Sequence, residues 1–282
     1  MNMKICAGIV TYNPDINLLS KAIASIALQV GKVIVVDNQS KNVDSVEGLT
    51  KQKKNILFIR NNNNLGIATA LNQIGEIAEE KGFEWFLTLD QDSECSPNMI
   101  EIFSKYMEDS SVGMISPTIH LRIHGKDKPK LQDKYEYADT VITSGCLVKV
   151  EAWKSINGFW DYLFIDKVDD DFCYTLREKG WKILRTSKVV LEHQIGNPSK
   201  HKFLWKNYYI DSYPSFRYYY IARNTIIVYH IHKNTGYHSP VILCKKFVKI
   251  IFGENRKMSK LTALFSGMMD GLKRICTRKG RM

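Results

Sequence analysis

Leu87-Thr88-Leu89-Asp90-Gln91-Asp92-Ser93 places two carboxylates, one residue apart, at the end of an apolar run. The run itself, Phe83-Glu84-Trp85-Phe86-Leu87-Thr88-Leu89, is short, rich in aromatic residues and preceded by Gly82, which predicts a buried strand. Charges at the end of such a strand are costly unless water reaches them or a partner offsets them. An acidic turn is the plainest reading. An Asp-x-Asp at the carboxyl end of a strand in an α/β protein also suits a divalent cation that holds a diphosphate.

Working back toward the N-terminus, strands and helices alternate. Ile5 to Thr11 is predicted as a strand, Asn17 to Gln29 as a helix, and Lys32 to Asp37 and Asn55 to Arg60 as further strands. Ile67 to Lys81 is predicted as a second helix before the Trp85 strand. This order predicts a largely parallel sheet covered on both faces, in which ligands bind at the carboxyl ends of the strands. Those ends carry Thr11-Tyr12-Asn13, Asp37-Asn38-Gln39-Ser40, Asn61 to Gly66, and Asp90-Gln91-Asp92. Each alone is an ordinary loop composition. Four on one edge predict a site.

Further on, Ser111 to Ile119 is predicted as a strand, followed by a polar stretch from His120 to Asp139. Glu151 to Ile156 and Asp170 to Lys179 are predicted helices, the second ending at Gly180. Trp181 to Leu184 and Val189 to His193 are predicted as two short strands. After His201 the chain turns aromatic and basic, and two amphipathic segments follow Pro240. The second carries Leu261, Leu264, Phe265, Met268, Leu272 and Ile275 on one face.

The ordered pieces Val10-Thr11-Tyr12-Asn13-Pro14, Val36-Asp37-Asn38-Gln39-Ser40, Asn64-Leu65-Gly66-Ile67-Ala68-Thr69-Ala70-Leu71-Asn72, Leu89-Asp90-Gln91-Asp92-Ser93, Phe164-Ile165-Asp166-Lys167-Val168-Asp169 and His193-Gln194-Ile195-Gly196 resemble the inverting GT-A glycosyltransferases of family 2, most of all their rhamnosyltransferase branch. The resemblance covers about residues 4 to 230. It implies an α/β fold of the GT-A kind, Rossmann-like, with a largely parallel sheet flanked by helices. The expected organisation is a catalytic domain over 1–230, its nucleotide-binding half about 1–95 and its acceptor half about 96–230, and a basic amphipathic helical tail over 231–282.

Residue by residue, the resemblance implies that Thr11, Tyr12 and Asn13 line a nucleotide pocket and that Asp37 holds the base or ribose edge. The Asn64-Leu65-Gly66 turn would approach the nucleotide. Asp90 and Asp92 would coordinate Mg²⁺ or Mn²⁺ on the diphosphate, with His193 as a further ligand. Asp169 falls at the position of the catalytic base when the register is counted back from Gly180. Asp171 takes a second acidic position, orienting acceptor or helix, and Arg223 one that would reach an acidic acceptor or a donor phosphate. The chain departs from the family in carrying Thr175 where an Arg is usual. The implied reaction is sugar transfer to a saccharide acceptor, lipid-linked, in bacterial surface polysaccharide assembly. The implied donor is dTDP-L-rhamnose, with a UDP-hexose or UDP-galactofuranose as the alternative.

Charge adds a separate indication. The net charge is +11, but 17 of the 40 Lys+Arg and 3 of the 29 Asp+Glu lie from residue 200 onward, a local net of +14. The rest of the chain is therefore slightly acidic. This asymmetry predicts an anionic surface as partner, a membrane or a nucleic acid. Carboxylates at the strand ends repel nucleic-acid phosphates, so no nucleic acid is expected; the lipid-linked acceptor that the resemblance implies leads to the expectation of a cytoplasmic enzyme peripheral to the inner face of a membrane. The alternative is that the C-terminal helices pack on the catalytic domain or pair two subunits. Six dispersed cysteines without a Cys-x-x-Cys pair are expected to be reduced thiols. The His120/His124 and His230/His232 pairs find no complementary set for zinc.

Overall fold

The computed structural model describes residues 4–51, 53–121, 134–193, 199–203, 206–210, 213–233 and 240–277. The chain divides into two compact units, one formed by residues 1–161 and 172–194, the other by 162–171 and 195–282.

In the first unit, β1 (Ile5–Thr11), α1 (Ile16–Ala27), β2 (Lys32–Asp37), α2 (Val43–Lys51), β3 (Ile56–Arg60), α3 (Gly66–Glu80) and β4 (Trp85–Asp90) follow one another. Next come α4 (Met99–Ser104), β5 (Val112–Leu121), β6 (Tyr135–Tyr137), β7 (Cys146–Lys149) and α5 (Val150–Ser155). The helix α6 (Val168–Glu178) carries the boundary between the units, and β8 (Lys182–His193) ends the first. The strands form an eight-stranded sheet in the order β3-β2-β1-β4-β7-β5-β8-β6. Neighbours from β3 to β4 are parallel, whereas β7 runs antiparallel to both β4 and β5.

Apolar side chains explain the layering. β1, β2 and β4 are buried on both faces, as their β-branched and aromatic runs predict. α1 starts at Asp15, whose carboxylate accepts from the amides of Asn17 and Leu18, and it buries Leu19, Ala22, Ile23 and Ile26. Two expectations are corrected here. α2 stands between β2 and β3, where no helix is expected from sequence; only Val43, Val46 and Thr50 of it are buried, too few for a clear periodicity. The two short strands expected over 181–193 are one strand, β8, whose register against β5 shifts between Pro117 and Thr118. That irregularity absorbs Ser187 to Val189.

The second unit contains a backbone hairpin, β9 (Ser199–Phe203) and β10 (Lys206–Ile210), then α7 (Ser215–Ile231), α8 (Ile242–Gly253) and α9 (Lys257–Cys276). Its core gathers Tyr218, Ile221, Ala222, Ile226, Leu243, Ile250 and Leu264. The units thus divide elsewhere than at residue 230, because α8 and α9 share a core with α7. α9 approaches α7 through Gly267 and Gly271. A Cβ on Gly267 would lie 2.2 Å from the Tyr219 carbonyl oxygen, and one on Gly271 would lie 2.9 Å from that of Arg223. The fully buried stripe of α9 is Lys260, Leu264, Gly267 and Gly271, and Leu261, Met268 and Ile275 pack against the same core as expected, while Phe265 and Leu272, expected on that face, are exposed. Inside this unit Glu254 is buried and accepts from the Tyr218 hydroxyl and from Lys260 at 2.6 Å.

Gly267→Ala is expected to lower unfolding stability by about 1–3 kcal/mol, since a methyl group must displace backbone rather than a flexible side chain. Chemical denaturation of the full chain checks this. Gly48→Ala inside α2, where an added Cβ meets nothing within 4 Å, serves as the control and is expected to stabilise by up to about 1 kcal/mol.

Candidate active site

Parallel register brings the strand ends together. Thr11 lies opposite Asp37 on one side of β1, and Val10 lies opposite Asp90 on the other. The Thr11 hydroxyl donates to Asp37 Oδ1 at 2.8 Å, and the Ser40 amide donates to Oδ2 at 2.8 Å. Asp37 and Thr11 are both fully buried. The Asp37 carboxylate, expected on the base or ribose, therefore braces the ends of β1 and β2 from within.

The loops beyond these strands are tied by side chains. The Asn13 amide donates to the Ser40 hydroxyl, and Asn13 Oδ1 accepts from the Lys41 amide, each at 2.8 Å. Asn13 and Gln39 have φ of 47° and 70°, in the left-handed region that Asn tolerates better than Gln. Tyr12, half exposed, offers its amide to Gln91 Oε1 at 2.8 Å, which links the β1 and β4 ends. Asn38 ties in the third loop: its Nδ2 donates to the Gly66 carbonyl, and its Oδ1 accepts from the Leu65 amide, both at 3.0 Å. Gly66 has φ +84°, a backbone state that favours glycine, and its amide donates to Asn64 Oδ1.

Asp90 and Asp92 sit half-buried at the end of β4. The Asp90 amide donates to the Ser144 hydroxyl at 3.0 Å, and Ser144 also meets the Ser93 hydroxyl at 3.1 Å. Two carboxylates in a part-exposed turn are hard oxygen donors and fit Mg²⁺ or Mn²⁺, which bind through a few carboxylates and keep sites for phosphate oxygens. No group of three His, Cys, Asp or Glu able to hold a metal ion exists among the described residues. His193 closes β8, and its side chain and the following Gln194-Ile195-Gly196 lie outside the described residues.

The second unit carries Asp169. The loop before it is backbone-strained: Phe164, Asp166 and Lys167 have φ of 63°, 62° and 68°. Such conformations cost of order 1–3 kcal/mol for each residue that is not glycine. Asp169 Oδ1 accepts from the Asp170 amide at 3.0 Å, and Lys167 pairs with Asp170 at 2.8 Å. Asp171, fully buried, meets His232 Nε2 at 2.9 Å and ties the start of α6 to the end of α7. Arg223, buried in α7, donates to the carbonyls of Tyr162 and Leu163. The structure shows this guanidinium bonded to loop carbonyls.

The profile of the family described as "Glycosyl transferase family 2" matches residues 6–175. The chain belongs to glycosyltransferase family 2. It is 28% identical over 298 residues to "dTDP-rhamnosyl transferase RfbF" of Shigella flexneri, covering 98% of this chain and 97% of that protein. Among solved structures it is similar in fold to mannosyltransferase PcManGT from Pyrobaculum calidifontis in complex with GDP-Man and Mn²⁺, with a TM-score of 0.60, 12% identity, 99% of this chain covered and 88% of that one. GalNAc-T7 with UDP, GalNAc and Mn²⁺ gives a TM-score of 0.61 at 12% identity, with 99% of this chain covered. The chain spans 58% of that protein's length. These likenesses establish a GT-A fold.

In this glycosyltransferase, burial and then the neighbouring charge of Asp170 raise the Asp169 carboxyl from the ordinary carboxylate range to about 7. A carboxylate of that basicity suits proton abstraction near neutral pH. Several residues that shape the site were not anticipated as site residues. Asn38 and Gln91 link strand ends, and Ser144 holds the Asp90 amide. Asn72 of α3 donates to the Phe159 carbonyl and accepts from the Phe159 amide and the Trp153 indole, fixing the turn at Gly158. Asn72 could be noticed as a polar residue closing the Asn64–Asn72 motif; Ser144 gives no signal beyond a Ser-Gly pair before a strand.

The raised Asp169 sets a sign for stability. The unfolded chain loses this proton near pH 4 and the folded chain near pH 7, so Asp169 progressively destabilises the fold as pH rises between those values. Asp169→Asn is expected to raise the melting temperature at pH 8, with the difference vanishing below about pH 4. Calorimetric or CD melts across pH check this.

Proposed function

We propose that this glycosyltransferase transfers L-rhamnose from dTDP-L-rhamnose to a saccharide acceptor, with inversion at the anomeric carbon. The observation that carries the donor is the similarity to the Shigella rhamnosyl transferase along nearly the whole of both chains. The residues supply the chemistry. Thr11, Tyr12, Asn13, Asn64 and Gly66 form the polar strand-end loops on which the nucleotide rests, with Asp37 bracing them. Asp90 and Asp92 would hold a divalent cation, Mg²⁺ or Mn²⁺, with His193 as the candidate third ligand; when bound, it would supply positive charge where negative charge develops on the departing nucleoside diphosphate. Asp169 accepts the proton of the acceptor hydroxyl as that oxygen bonds the anomeric carbon and the bond to the diphosphate breaks. A single displacement of this kind needs no covalent nucleophile.

The acceptor is proposed to be lipid-linked and the enzyme to dock on an anionic membrane face. No helix among the described residues is long and apolar enough to cross a membrane. The outward sides of α8 and α9 support surface docking: Val248, Phe252, Phe265, Met269 and Leu272 are exposed, and Lys245 and Lys273 are exposed beside them. Apolar insertion combined with about 1 kcal/mol per basic residue near anionic lipid gives reversible attachment.

A donor panel with the purified full chain tests the reaction. Release of dTDP from dTDP-L-rhamnose is expected only with Mg²⁺ or Mn²⁺ present. Asp92→Asn and Asp169→Asn should each lower turnover by roughly 10²–10⁴ while leaving the fold intact. Turnover of a UDP-hexose or UDP-galactofuranose with none of dTDP-L-rhamnose would reassign the donor, and full turnover in EDTA would remove the metal.

For docking, the full chain is expected to float with anionic vesicles and less so in high salt. The exposed-site variant Phe252→Ser/Phe265→Ser should stay in the pellet. A parental variant that sediments as a dimer and ignores vesicles would instead assign these faces to subunit pairing.

A further inference from the structure

The loop from Tyr162 to Lys167 adopts a conformation its own residues disfavour. Phe164, Asp166 and Lys167 all take left-handed φ without being glycine or asparagine. A loop needing this path at low cost would carry glycine there, so something else must impose it. That something is α7.

Asn224 is fully buried, and its Nδ2 reaches the carbonyl oxygens of Leu163, Ile165 and Asp166, each at 2.8 Å. Arg223 Nε donates to Asn224 Oδ1 at 2.9 Å. This fixes the amide orientation on chemical grounds, because a reversed amide would face carbonyl oxygens with an oxygen and the guanidinium with an NH₂. Arg223 Nη2 adds bonds to the Tyr162 and Leu163 carbonyls at 2.5 and 3.2 Å. Its guanidinium lies over the rings of Tyr162 and Tyr220 at 4.3 and 4.7 Å. One turn and a half earlier, Arg217 grips the Asp166 carboxylate through Nη2 and Nε at 2.6 and 3.2 Å.

The clamp leads directly to Asp169. The Asp171 amide bonds the Lys167 carbonyl at 3.0 Å, so the first turn of α6 is built on the last left-handed residue of the loop. If Lys167 returned to negative φ, that carbonyl would turn away and the first turn, Asp169 included, would be re-aimed.

We propose that Asn224, supported by Arg223, is a positioning residue for sugar transfer: it imposes the Tyr162–Lys167 conformation and thereby sets the direction of the Asp169 carboxylate. The proposal rests on the reading of Asp169 as the base. It separates from a purely structural role because a structural role would cost stability without changing the turnover of folded enzyme.

The test uses steady-state kinetics of the full chain with Mg²⁺, at a temperature where CD shows each variant fully folded. Asn224→Ala is expected to lower kcat by tenfold or more with the KM for dTDP-L-rhamnose within about twofold of the parent. Adding Lys167→Gly to Asn224→Ala removes the left-handed penalty at one position and is expected to restore part of the lost kcat. If Asn224→Ala does not fold, Arg217→Gln, which releases the half-buried edge of the loop, is expected to show the same kcat-selective fall at several-fold. Folded Asn224→Ala, or Arg217→Gln in its place, with parental kcat would overturn the proposal while an inactive Asp169→Asn kept the base reading standing. Parental turnover in Asp169→Asn would instead remove the base reading, and the proposal with it.

Discussion

β1 lies between β2 and β4 in parallel register, and every feature of the nucleotide edge depends on that placement. Parallel neighbours end on the same side of a sheet, so Thr11, Asp37 and Asp90 become neighbours although 26 and 79 residues separate the first from the others in sequence. The register is fixed by burial on both faces: a slip of one residue would move Val33, Val35 and their partners into the wrong layer. The polar loops beyond the strand ends then need only short ties. Asn13 to Ser40, Tyr12 to Gln91 and Asn38 to Gly66 are such ties. Each satisfies a backbone group in the loops or helix start beyond the strand ends.

The helical unit reaches order by a different route. α7 is buried nearly all round from Ile221 to Val228, yet carries Arg223 and Asn224 in the middle of that stretch. An arginine and an amide buried there are tolerable only with their hydrogen-bonding capacity used, and the loop carbonyls together with ring faces use it. Gly267 and Gly271 close the other side by letting α9 touch the α7 backbone at Tyr219 and Arg223. The same residue, Arg223, therefore has its side chain on the loop and its carbonyl under α9. Packing of the C-terminal helices and geometry of the loop are coupled through one stretch of α7.

How far the sequence could be read follows from which signals are local. The strands β1, β2 and β4 were legible because continuous β-branched or aromatic runs end in turn residues, and the strand-end polar sets gather on one edge of the sheet. α2 was not, since a helix that buries only three residues leaves almost no apolar period. α7 was not assigned because a helix buried all round has no amphipathic contrast to detect. Of the face expected for α9, Leu261, Leu264, Met268 and Ile275 meet the core while Phe265 and Leu272 do not, and the two glycines that bring the helix against α7 carry no apolar signal. The ties of Asp171 to His232 and of Asn224 to the loop join positions about 60 residues apart and leave no trace in local pattern. What sequence does show is their anomaly, a polar Arg-Asn pair inside the run Tyr218 to Val228.

The three acidic residues that open α6 illustrate how one composition serves different ends. All three favour a helix N-terminus through the macrodipole, and composition alone does not distinguish them. Environment separates them. Asp171 is enclosed and paired with His232, Asp170 is held by Lys167, and Asp169 is left with burial and a like-charged neighbour that push its proton affinity up. Two of the carboxylates thus stabilise the helix start that the third works against when ionised. A carboxyl with raised proton affinity and a backbone in left-handed φ both cost stability, and both sit within six residues of one another, from Phe164 to Asp169. Strain and unfavourable charge concentrated in one segment are what a site produces when geometry is set by function and held by the surrounding helices.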